Sequence, residues 1–136
     1  SEVVFCGFGE SLLRLEEVKK ISRELKARGA KSIRVNTDGL ANLVHGRNVL
    51  PELSGLIDEM SVSLNAPDAA TYEKLCRPSV EGAYPALLDF LKKAAESIKT
   101  VTATVVELPG LDVDASERVA RELNVNFRRR PFNEVG

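Results

Sequence analysis

Cysteine and histidine are scarce in this chain: Cys6, Cys76 and His45 are the only ones in 136 residues. Neither cysteine belongs to a CxxC pair, so a zinc or iron–sulfur site built wholly from this chain is not expected. Each thiol reads first as a small apolar filler, and His45 reads as a loop residue with local contacts. Nothing resembles a Ser-His-Asp set or a Walker loop. Charge of either sign is not in excess, with 19 Lys and Arg against 20 Asp and Glu. That balance argues against a nucleic-acid platform, which normally carries a basic surplus. No run of about 18 apolar residues is present to span a membrane, and no signal-peptide pattern opens the chain. The expectation is a cytoplasmic, soluble single domain over residues 1–136, because a chain of this length buries one core and not comfortably two.

What the chain does have is alternation. "EVVFC" is a β-branched run. Behind it Leu15, Val18, Ile21 and Leu25 recur at helical spacing until Gly29 stops the pattern. "SIRVN" is a second strand, closed by the turn-forming "TDG". A loop, "LANLVHGRNVL", leads to a short helix "PELSGLI" with Pro51 in its first turn. "EMSVSLN" is a third strand, and "PDAATYEKLC" and "AYPALLDFLKKAAESI" are helical. "VTATVVEL" is a fourth strand. "DASERVARELN" is a helix in which Asp114 and Glu117 have capping-box spacing, and "VNFRRRPFN" closes as a fifth strand. Strands alternating with helices predict an α/β fold of about five parallel strands joined by right-handed crossovers. Two architectures fit this order, an open doubly wound sheet and an arc of a (βα) barrel. In both, ligands gather at the carboxyl ends of the strands.

Those ends carry Gly7, Gly9 and Glu10; Asn36, Thr37 and Asp38; Ser63 and Asn65; Glu107; and Arg128, Arg130 and Asn133. Glycines let a ligand reach the backbone. A glutamate among them accepts from an ammonium group, and Asn and Ser suit hydroxyl-bearing ligands because both donate and accept. Each residue also has a plainer structural reading. Glu10 favours the positive end of the following helix, Asn36 and Asp38 form a turn, Ser63 and Asn65 share a strand face as core polars, and "RRR" is a solvated edge. Co-location at successive strand ends is the stronger signal.

These segments resemble a family. "VVFCGFGES" is similar to the "GGEP" strand of radical S-adenosylmethionine (SAM) enzymes, "NTDG" to their "TNG" turn and "SVSLNAPD" to their "SLD" strand. "NTDGLANLVHGRNVLPEL", "SVSLNAPDAATYEKLCRP" and "RPFNEVG" most resemble the TatD-linked radical SAM proteins. The resemblance implies a partial (βα) barrel, and it implies S-adenosylmethionine as cofactor. Gly7, Gly9 and Glu10 would meet its amino group together with Asn36 and Thr37, and Ser63 and Asn65 its carboxylate or ribose. Val105, Arg128 and Arg130 would line the adenosine and substrate side. Ser11 and Asp38 depart from the family's proline and asparagine. The family's CxxxCxxC, which ligates a [4Fe–4S] cluster, has no counterpart among these residues. The expectation is therefore a radical SAM core lacking its first, cluster-binding strand, and not catalytic by itself. The alternative is a non-catalytic α/β module that binds a nucleotide-like ligand or a protein partner.

A β-branched first strand with nothing before it would be an unpaired edge, and such edges recruit partners. The near-neutral charge opposes self-association little. The expectation is a homo-oligomer, most simply a two-fold dimer through the N-terminal edge or the opened barrel interior. Light scattering at micromolar protein checks it, and a stable, soluble monomer would overturn it.

Overall fold

The structure is a computed structural model that describes residues 2–5 and 10–132. Five strands form one all-parallel sheet: β1 (Glu2–Phe5), β2 (Ser32–Thr37), β3 (Glu59–Ser63), β4 (Thr100–Val106) and β5 (Asn126–Arg130). Their spatial order is their order in the chain. Between them run a 3₁₀ turn (Ser11–Arg14) and six helices. These are α1 (Leu15–Ala27), α2 (Ala41–His45), α3 (Leu50–Leu53), α4 (Ala69–Cys76), α5 (Ala83–Ser97) and α6 (Val113–Glu122). The α/β class and the barrel-like arc of about five parallel strands are as the sequence predicts. Among the described residues no helix is long and apolar enough to cross a membrane.

A sheet whose strands follow one another in sequence, each reached by a right-handed crossover, receives all its helices on the same face. Burial obeys this. Ile33, Val35 and Thr37 on β2, Met60 and Val62 on β3, and Val101, Ala103 and Val105 on β4 are buried. The strand register puts them all on one side, with Val35, Met60 and Val101 in line and Thr37, Val62 and Ala103 in the next line. Phe90, Leu91, Leu87 and Ala94 of α5 close over that side. Each large side chain so buried contributes roughly 1.5–3 kcal/mol. Val105 therefore belongs to the core under the helices and does not line a ligand side.

Several local expectations are corrected. Ile21 does not face the core: Ser22 is fully buried in α1 beside Leu15 and Val18, while Ile21 is 43% exposed. The apolar stripe is rotated by one residue, and Ile21 lies with Phe5, Leu13 and Val18 along a groove of about 620 Å³. The stretch taken as a loop before Pro51 contains α2, and the helix around Pro51 is a single turn. Asp112 rather than Asp114 caps α6, accepting from the Ala115 N–H at 2.9 Å. Asp114 and Glu117 instead hold Arg129 of β5 against that helix. His45 ends α2 and reaches far along the chain. Its Nε2 stands 2.8 Å from the Leu12 carbonyl, so that nitrogen carries the proton and donates, tying α2 to the 3₁₀ turn.

The turn after β2 is fixed by steric necessity. Gly39 has φ +79°, and a Cβ there would lie 2.3 Å from Leu87 Cδ1 and 3.0 Å from Val62 Cγ1. Both the left-handed backbone and the contact with α5 require glycine. Gly39→Ala should destabilise the fold by about 2–4 kcal/mol, read as a lower urea midpoint with an unchanged slope.

Candidate ligand-binding site

The carboxyl ends of β2 and β3 carry a cluster built around one carboxyl group. Glu10 precedes the 3₁₀ turn on extended backbone. Its Oε2 accepts a short hydrogen bond from the Thr37 hydroxyl and a second, at 3.2 Å, from the Asp38 N–H. The Thr37 hydroxyl accepts in turn from the Gly39 N–H at 3.1 Å, which leaves its own proton for Glu10. Asp38 Oδ1 accepts from the Leu40 N–H at 3.0 Å, closing the turn. The acid is thus held on two donors while its other oxygen is uncommitted among the described residues.

Burial pushes the Glu10 carboxyl up to about 7. The Thr37 hydrogen bond opposes that shift, and the neighbouring Asp38 carboxylate, repelling a second negative charge, adds to it. Two carboxyl groups at one strand end, one of them half-buried, make a place where a cation restores the charged state. Arg14 and Glu17 of the adjoining turn and helix line the groove of Phe5 together with Glu10.

Beside this cluster opens a cleft of about 380 Å³, lined among others by Asp38, Ser63, Asn65, Tyr72, Cys76 and Arg77. The segment after β3 shapes it. Leu64 and Asn65 both donate their N–H groups to the Thr104 carbonyl, at 2.9 and 3.3 Å, which keeps the chain on the sheet beyond the end of β3. Asn65 then takes φ +67°, a conformation asparagine tolerates better than most residues. Its Nδ2 donates to Cys76 Sγ at 3.4 Å. The next residues are pinned: the Tyr84 hydroxyl donates to the Ala66 carbonyl at 3.0 Å, and Asp68 caps α4 through the Thr71 N–H at 2.8 Å. Burial pushes the Tyr72 and Tyr84 phenols up to about 12, so both remain neutral donors.

Of the residues singled out from sequence, Glu10 and Thr37 are in direct contact, and Ser63 and Asn65 share the cleft. Strand parity was not what joined the last two, because Asn65 lies past the end of β3 in a left-handed turn. Asn36 is exposed and faces away from Thr37, onto the side of the sheet opposite the helices. Gly7 and Gly9 lie outside the described residues, as do Cys6 and Asn133. Asp38, one of the strand-end candidates, lines the cleft, and Cys76 and Arg77 join it although the strand ends do not point to them. Cys76 is a half-buried cleft residue with an amide on its sulfur as well as a neighbour of the core. Its position one turn after Tyr72, immediately before "RP", was the available signal. No protein-family model matches this chain, and no curated protein matches it.

A carboxyl group with a raised folded-state value holds its proton more tightly in the fold than in the unfolded chain. Its contribution to stability is therefore complete below about pH 4.5 and lost as pH rises through about 7. Glu10→Gln should remove that slope and leave the protein more stable than wild type at pH 8, by on the order of 2 kcal/mol after allowing for partial exposure. Urea midpoints measured at pH 5 and pH 8 check it.

Proposed function

We propose that this chain is the S-adenosylmethionine-binding and substrate-side part of a radical SAM enzyme. The observation that carries the reading is the Glu10 cluster: a half-buried carboxyl, fixed by Thr37 and the Asp38 N–H, at the strand ends beside a polar cleft. An α-ammonium group suits it, since a cation at hydrogen-bond distance favours the ionised acid that burial disfavours. Thr37 sets the orientation of the carboxylate, and Asp38 adds a second negative charge. Ser63 and Asn65, each able to donate and accept, would take the ribose hydroxyls or the cofactor's carboxylate, and Asn36 would approach from the open side of the sheet.

When bound and reduced, such a cofactor supplies hydrogen abstraction. A [4Fe–4S] cluster with one iron left open needs three thiolates, and this chain has two cysteines, which are 70 positions apart, 6 to 76. The residues here do not fit that cluster, and no reductive step is assigned to them. What they do is bind, orient and neutralise. The reading includes a homo-oligomer, supported by the groove along β1 in which Leu13 is 50% and Ile21 43% exposed.

Calorimetry with S-adenosylmethionine tests the cofactor assignment. Affinity should rise with pH through about 7 as Glu10 ionises. Glu10→Gln should weaken binding by at least about tenfold and abolish the pH dependence. Binding that is pH-independent and unchanged in Glu10→Gln would refute the reading.

A further inference from the structure

Because every helix lies on one face, no helix among the described residues covers the other face of the sheet. Parallel sheets are seldom left so, and an uncovered face built to meet only water needs no particular composition. This one is graded. Nearest the amino ends, Val4, Arg34, Glu59 and Thr100 stand side by side across β1 to β4. The next line is Asn36, Ser61, Thr102 and Asn126, all neutral hydrogen-bonding groups. Beyond it come Ser63, Thr104 and Arg128, and finally Val106 and Arg130. Among the described residues, the carboxyl-end lines of the strands therefore hold two arginines and no carboxylate, flanked by hydroxyls.

The three consecutive arginines of β5 are used differently. Arg129 points to the helices and is committed to Asp114 and to Glu117, the latter at 3.2 Å. Arg128 and Arg130 point the other way, and among the described residues neither has a carboxylate within ion-pair distance. They are alternate residues of one strand, so their Cα atoms are about 6–7 Å apart, a span that one phosphate or carboxylate group can bridge between two guanidinium forks. Thr104, beside Arg128, is 7% exposed and donates its hydroxyl to the Val62 carbonyl at 3.4 Å. Arg34, a third arginine on the same face but in its amino-end line, has its Nε buried with no hydrogen-bond partner among the described residues.

We propose that the uncovered face is the binding surface for a small anionic molecule, its phosphate or carboxylate taken by Arg128 and Arg130. The charge of the face selects this occupant. A second copy of the chain would bring the same arginines against themselves, and the neutral middle line offers no apolar area for a protein partner. The rim is polarised as well, with Glu10 and Asp38 at the β1–β2 end and the arginines at the β5 end. As a statement about substrate class this rests on the cofactor reading above. As an anion site it does not.

Pyrophosphate and citrate, titrated separately into the intact protein by calorimetry, probe the site. Either should bind, the tighter of the two assigning phosphate or carboxylate. Arg128→Gln and Arg130→Gln should each weaken binding by about tenfold, whereas Arg118→Gln, on the exposed side of α6, should leave it unchanged. Lysine at both positions, which keeps the charge and so the fold, should bind with intermediate affinity. Glu10→Gln should retain pyrophosphate binding even where it loses S-adenosylmethionine, which separates failure of this site from failure of the cofactor reading. No binding by the wild type, binding that survives the double glutamine variant, or loss as large in Arg118→Gln would overturn the proposal. So would a ten-nucleotide RNA that binds where pyrophosphate neither binds nor competes.

Discussion

The handedness of the strand-to-strand crossover is the constraint on which this molecule depends. A right-handed connection between adjacent parallel strands puts the intervening helix on one defined side, and taking the strands in order never changes that side. Five strands in sequence thus produce two unlike faces. One is closed by α1, α3, α5 and α6 and contains the buried Ile33, Val35, Met60, Val62, Val101, Ala103 and Val105. The other carries mostly hydroxyls, amides and arginines, with Val4, Glu59 and Val106 among them. Core and open face are set by the same rule, one residue apart along every strand.

That one-residue alternation explains how neighbouring residues acquire unrelated roles. Asn36 is exposed on the open face, whereas Thr37 is buried and holds Glu10. Arg129 is spent on α6, whereas Arg128 and Arg130 face outward. Ser63 and Thr104 are beside one another on the open side, and Val62 and Ala103 beside one another beneath the helices. At the carboxyl ends the alternation gives way to turns, where conformation takes over. Gly39 allows α5 to approach the β2 turn, and the left-handed Asn65 swings its amide to Cys76. The cleft between them exists because both turns are pinned, one by Thr37 and the other by Tyr84.

Electrostatics then divides the rim. At the β1–β2 end Glu10 is held near neutrality by burial and by Asp38. Farther from the site, Glu52 is held down to about 2 by Arg47 and by Lys19, in an exposed network that links α1 to α3. Asp58 likewise joins Lys26 of α1 to the Ile33 N–H of β2 at 2.6 and 2.8 Å. These two carboxylates have committed cationic partners. Glu10, whose partners among the described residues are a hydroxyl and a backbone N–H, has no cation within ion-pair distance there.

The class of fold was legible in the sequence alone. Periodicities of 2 and 3.6 alternate along the chain, and β-branched runs separated by helical patterns admit little except parallel strands with crossovers. The sequence also singled out Glu10, Thr37, Ser63 and Asn65, because residues that end strands are polar and chemically suggestive whether or not they touch. What it could not determine was contact across distance. The Thr37–Glu10 bond joins residues 27 apart and the Leu12–His45 bond residues 33 apart. The burial of Ser22 in place of Ile21 depends on a helix rotation that spacing leaves open within one residue. Capping by Asp112 rather than Asp114 was a choice between two acids of similar propensity. Only the packed structure decided these, because helix rotation, turn conformation and ion pairing are settled by which neighbouring elements exclude water, and that is a property of the whole chain at once.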